Sequence, residues 1–73
     1  MMKKTIKMRE LECAHCAAKM ETAIRKLEGV VSADINFMLQ KLTIEAEDER
    51  FDAILRDAAK ICKRIEPDCE LVI

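Results

Sequence analysis

The sequence has no tryptophan or tyrosine, a single glycine, a single proline and no surplus of either charge. Scarce glycine and proline beside 51% hydrophobic residues exclude a low-complexity linker and mark a chain that folds. The 13 basic and 14 acidic side chains nearly cancel, so no field of one sign exists to draw in nucleic acid. Phe37 and Phe51 are the sole aromatics. The first shares a face with Ile35 and the second opens a helical stripe, which leaves no platform for stacking bases. Met1 to Lys7 carries lysines but lacks the apolar stretch of about 7–15 residues that a secretory signal needs. Nowhere is there an apolar run of about 18 residues, the length that spans a bilayer. These absences lead us to expect a cytoplasmic protein without direct membrane insertion.

What is present is enough apolar sequence for one core. The 73 residues are read as a single domain, 1–73, and as a monomer. In Thr5 to Leu11, Ile6 and Met8 alternate with Lys7 and Arg9, the period of a half-buried strand. From Cys16 to Leu27 the apolar positions Ala17, Met20, Ala23, Ile24 and Leu27 fall three and four apart, an amphipathic helix, with Lys19, Glu21, Arg25 and Lys26 turned outward. Gly29 follows as its stop. Val31, Ala33, Ile35 and Phe37, then Leu42, Ile44 and Ala46, alternate as two strands of a hairpin. Phe51, Ile54, Leu55, Ala58, Ile61, Cys62 and Ile65 mark a second helix, begun near Asp48 and ended by Pro67. Cys69, Leu71 and Ile73 alternate as a last strand. The order βαββαβ predicts an α+β, ferredoxin-like fold: an antiparallel four-stranded sheet with two helices on one face.

Four cysteines in so short a chain would form disulfides in a secreted framework, but without a secretory signal reduced thiols are expected. They have three uses: metal ligation, redox chemistry or core filling. Cys13-Ala14-His15-Cys16 falls where the first strand gives way to the first helix. Unpaired N–H groups and the macrodipole at a helix start favour anions, so the Cys16 thiolate is expected to form readily. Two intervening residues let both sulfurs turn to one metal ion. Two protein ligands are fewer than the four of a closed structural zinc site, which points to an open, exchangeable site and a folded apo form. A C-x-x-C is also a dithiol redox motif. Thioredoxin-like domains, however, need about 100 residues and a cis-proline facing the dithiol, whereas Pro67 lies at a helix end.

Leu11-Glu12-Cys13-Ala14-His15-Cys16-Ala17, with Met20-Glu21 and Gly29-Val30, resembles the heavy-metal-associated domain. The resemblance runs from the first strand to Pro67-Asp68. It implies the βαββαβ order and a role in passing soft metal ions, either as a free metallochaperone or as an N-terminal domain of a metal-transporting P-type ATPase. In the second case the partners are the membrane-embedded or other cytosolic domains of the transporter. No catalysis is implied, since the phosphorylation sequence Asp-Lys-Thr-Gly-Thr is absent from this chain.

The commonest family pattern has Gly-Met-Thr before the first cysteine, where this chain has Glu10-Leu11-Glu12. An acidic residue there resembles the zinc-, cadmium- and lead-transporting branch. A hard carboxylate suits Zn²⁺, Cd²⁺ or Pb²⁺, while Cu⁺ prefers sulfur alone. Glu12 is thus the candidate third ligand beside Cys13 and Cys16, its bland alternative being an exposed strand-end glutamate. His15 is expected to loop out to solvent, and Leu11 to plug the core beneath the loop. Cys62 and Cys69 are read as core thiols, with Cys69 the more open to another role, and the scattered methionines as core filler. A free Cu⁺ or Hg²⁺ metallochaperone and a dithiol redox protein are the alternatives.

Overall fold

The computed structural model describes residues 1–72. Its elements are β1 (Met2–Arg9), α1 (Ala14–Arg25), β2 (Val30–Asn36), β3 (Lys41–Ala46), α2 (Phe51–Ile65) and β4 (Glu70–Val72). Alternation in the strands turns Ile6, Met8, Ala33, Leu42, Ile44 and Ala46 to one face, where they are buried. Against that face the helices lay Ala17, Met20 and Ile24 of α1 and Phe51, Ile54, Leu55, Ala58 and Cys62 of α2. The strand order is β2-β3-β1-β4 with every pairing antiparallel. This is the expected ferredoxin-like arrangement. On the open face Thr5 stands opposite Thr43, their hydroxyls 3.2 Å apart.

Several boundaries differ from the sequence reading, each for a local reason. Helix α1 starts at Ala14 and ends at Arg25, because Cys13 caps its first turn; Leu27 packs on the core from the following loop. Gly29 does take a left-handed conformation, φ 92°, but it serves a tight turn in which the Val30 N–H donates to the Leu27 carbonyl. A Cβ there would lie 2.9 Å from Arg50 Cδ. Val31 faces solvent, since the register of β2 against β3 shifts between Val30 and Ser32 and Val30 packs inward instead. Asp48 opens a single 3₁₀ turn, Asp48–Arg50, and α2 proper begins at Phe51. Strand β1 runs earlier than expected and β4 is short; Ile73, predicted at its end, lies outside the described residues.

Glu21 and Arg25 do more than face outward. The Ile35 N–H donates to Glu21 Oε2 at 2.7 Å, and Arg25 Nε donates to the Ala33 carbonyl at 2.8 Å. With their own ion pair at 3.0 Å they bind α1 to backbone groups that edge strand β2 would otherwise leave unpaired. No helix among the described residues is long and apolar enough to cross a membrane.

Candidate functional site

The chain leaves β1 at Arg9 and must turn upward into α1. Glu10 takes a positive φ of 59°, an uncommon conformation for a residue with a Cβ, and the turn carries Leu11 into the core at 3% exposure. Gln40, at the end of the β2–β3 turn, holds this bend. Its Oε1 accepts the Leu11 N–H at 3.0 Å, while its Nε2 donates to the carbonyls of Leu11 at 2.7 Å and Phe37 at 2.9 Å. Gln40 also has a positive φ, 55°. Nothing in the sequence periodicity singled it out, because Leu11, which it holds through two of these bonds, lies 29 residues away.

Past Leu11, Cys13 is the N-cap of α1 in extended conformation, and its Sγ accepts the Cys16 N–H at 3.2 Å. Sulfur here does the work of the usual capping oxygen. Both cysteines are half-buried, whereas Glu12, Ala14 and His15 are exposed, so His15 loops out as expected. The electrostatics reverse one expectation. Cys13, rather than Cys16, has the more acidic thiol: it lies below its ordinary value because it shares a hydrogen bond with the Cys16 side chain and accepts the Cys16 N–H. Cys16 is pushed up, first by that same bond to Cys13, then by desolvation and by the charge of its neighbour. The helix-end N–H reaches only the capping sulfur, so the first negative charge settles on Cys13 and resists a second on Cys16.

Glu66, in the turn between α2 and β4, closes the other side. Its Oε2 accepts the Glu12 N–H at 3.1 Å, and its backbone bridges the turn, donating to the Cys62 carbonyl and accepting from the Cys69 N–H, each at 2.9 Å. Its Oε1 is buried with no hydrogen-bond partner among the described residues. The sequence places the loop Glu66-Pro67-Asp68 near the metal end of the fold but gives Glu66 no role of its own; its position after an apolar helical stripe and before Pro67 is the local signal. Cys62 and Cys69 are wholly buried, as expected of core thiols. Burial first, and then the proximity of Cys69, pushes the Cys62 thiol up to about 12, and burial likewise raises Cys69. Among the described residues no three side chains of His, Cys, Asp and Glu are gathered into a ready-made metal cage. The paired, half-buried sulfurs at the start of α1 are the reachable thiols; of the methionines, Met8 and Met20 fill the core as expected, whereas Met1, Met2 and Met38 are exposed, at a strand start and in the β2–β3 turn where no core face is presented.

A family model described as the heavy-metal-associated domain, HMA, matches residues 5–67. The chain belongs to this family. The HMA match takes in Cys13, Cys16 and Cys62 and ends before Cys69 and the last strand. It is 34% identical over 55 residues to the probable copper-transporting ATPase PacS of Synechocystis, covering 75% of this chain and 7% of that protein. With the zinc/cadmium/lead-transporting P-type ATPase of Escherichia coli it shares 37% identity over 43 residues, 59% of this chain and 6% of that one. The HMA chain thus spans a small fraction of the transporters it matches. Among solved structures, the CopZ metallochaperone superposes with a TM-score of 0.76 at 18% identity, over 97% of this chain and 100% of that one, which shows the shared fold. The HMA fold is one of metal binding and transfer, and the relatives include carriers of copper and of zinc alike.

Proposed function

We propose that this HMA domain holds a divalent ion, Zn²⁺, Cd²⁺ or Pb²⁺, between the thiolates of Cys13 and Cys16. It passes the ion by ligand exchange to the membrane-embedded or other cytosolic domains of a metal-transporting P-type ATPase. The observation that carries this reading is the capping geometry: Cys13 Sγ receives the Cys16 N–H at 3.2 Å, which lowers the cost of the first thiolate at a half-buried, reachable position. Two sulfurs leave coordination positions for a recipient's own donors, so transfer proceeds without stripping the ion bare. Glu12 is the proposed third ligand. It is exposed directly beside Cys13, and a carboxylate oxygen suits a borderline divalent ion better than Cu⁺.

The test is a competition titration of Zn²⁺, Cd²⁺ and Cu⁺ into the wild type and Glu12→Ala. Submicromolar divalent affinity that falls about tenfold in the variant is expected, the scale of losing a weak oxygen donor. Unchanged zinc affinity in Glu12→Ala removes Glu12 from the ligand set. High affinity for Cu⁺ alone makes the domain a copper carrier. A reduction potential well below the cytosolic poise with no submicromolar metal affinity makes the thiols redox or structural.

A further inference from the structure

The carboxylate of Glu66 is placed where a thiolate site should not want one. Its Oε2 accepts the N–H of Glu12, the residue immediately before Cys13, at 3.1 Å, so a negative charge stands beside the loop that carries both sulfurs and repels a thiolate there. Its one side-chain hydrogen bond, from the Glu12 N–H, would be accepted equally well by a neutral glutamine without that repulsion. Nor is the carboxylate free to swing away. The backbone of Glu66 is pinned by the Cys62 carbonyl and the Cys69 N–H, and Oε1 is buried without a partner among the described residues.

We propose that Glu66 is a specificity-determining residue of the metal site, favouring divalent ions over Cu⁺ through its fixed negative charge. The inference rests on the reading that Cys13 and Cys16 together hold the ion. Its basis is a charge count. Two thiolates with a divalent ion sum to zero, while the same two with Cu⁺ carry one net negative charge. Both loaded states start from the same apo protein. A fixed anion nearby therefore penalises the Cu⁺ form relative to the divalent form by one unit-charge interaction, however many protons the thiols held beforehand. Lys19, the cation nearest along α1, is exposed to solvent and so screened, whereas the Glu66 carboxylate is hydrogen-bonded to the metal loop itself. Glu66 is thus a charge filter, separate from any oxygen that Glu12 donates.

The test is the ratio of Zn²⁺ to Cu⁺ affinity, each measured by competition with a chelator, in the wild type, E66Q and E66D. E66Q keeps the side-chain shape and an acceptor for the Glu12 N–H, and circular dichroism checks its fold. A shift of the ratio toward Cu⁺ by about tenfold is expected in E66Q, the scale of one unit charge at close range near a surface, with most of the wild-type ratio kept in E66D. A ratio within about twofold of wild type in folded E66Q, with both metals still bound through Cys13 and Cys16, overturns the proposal, because it lies below any close unit-charge effect. Should E66Q fail to fold, the wild type decides. A charge filter weakens with screening, so a ratio that stays constant from about 20 to 500 mM salt also overturns it. A wild type that binds no divalent ion through its cysteines removes the parent reading, and that result appears before any Glu66 variant is made.

Discussion

The two cysteine pairs are a controlled comparison within one small molecule. Cys13 and Cys16 stand at the start of α1, half-buried, with a backbone N–H aimed at the first sulfur. Cys62 and Cys69 stand where α2 turns into β4, wholly buried. Glu66 lies within electrostatic reach of all four sulfurs and opposes the charge on each. The carboxylate is common to both pairs, so it does not account for their difference. What differs is water and a helix end. At the loop, the hydrogen bonds from the Cys16 side chain and the Cys16 N–H outweigh desolvation and Cys13 becomes the more acidic thiol, while in the core desolvation is the largest influence on each sulfur and raises both. Being a cysteine decides little; the donor and solvent around it decide whether it is a ligand or a small hydrophobe.

The sharpest way to break the comparison is to exchange the roles by mutation. Cys13→Ser or Cys16→Ser should lower Zn²⁺ affinity by at least about 100-fold, since either removes one of the two anchoring sulfurs, while the urea midpoint moves little. Cys62→Ala should do the reverse, leaving affinity within error. Isothermal titration and urea unfolding of the three variants read both arms.

Thiol reactivity should separate the pairs nearly as widely. In native protein near pH 7, iodoacetamide should label Cys13 first and leave Cys62 and Cys69 untouched, with about a 100-fold gap in rate, because the reagent meets thiolate only. Peptide mapping by mass spectrometry gives the order. Labelling at Cys16 ahead of Cys13 would contradict the capping geometry.

Stability against pH tests the same contrast through linkage. For Cys62 the folded state holds its proton up to about 12, above the ordinary unfolded thiol. Its contribution is thus complete below the unfolded value of roughly 8.5 and is lost as pH climbs toward the folded one. Cys13 has the opposite sign: its folded value is lowered, so its contribution exists above the unfolded value and disappears as pH falls through the folded one. Urea midpoints should therefore decline from about pH 9 upward, and Cys62→Ala should flatten that decline. Cys62→Ser should keep the fold at a cost of about 1–3 kcal/mol, the range for placing a hydroxyl in an apolar core.

The smallest effect is expected at the bend that presents the loop. Gln40→Ala removes three hydrogen bonds, to Leu11 N–H and to the Leu11 and Phe37 carbonyls. A loss of about 1–2 kcal/mol in stability should accompany a change of only about threefold in Zn²⁺ affinity, because the helix cap itself is left intact. A collapse of metal binding in this variant would mean that the bend, more than the cap, arranges the sulfurs.

Much of this was legible in the sequence because it is periodic and local. Ile6 and Met8, Met20 and Ile24, and Phe51 to Cys62 repeat at spacings that name strand or helix, and those patterns yield the element order and thence the ferredoxin-like sheet. The C-x-x-C pair and its place at a strand-to-helix junction were equally visible. Val31 was misread because a one-residue shift in pairing reverses a side chain without altering composition. Gln40 and Glu66 were missed because their partners are distant in the chain: Leu11 is 29 residues from Gln40, and Glu12 is 54 from Glu66.

By itself the sequence determined the layers, the identity of the core faces and the presence of a paired-thiol loop, since hydrophobic period and helix signals act over a few residues. Only the tertiary structure decided which thiol of the pair is the more acidic, which carboxylate meets the loop before α1 and which cysteines are sealed away. Those are questions of distance and solvent, set when the turn after α2 folds back against the loop before α1 and chain-remote groups share one electrostatic environment.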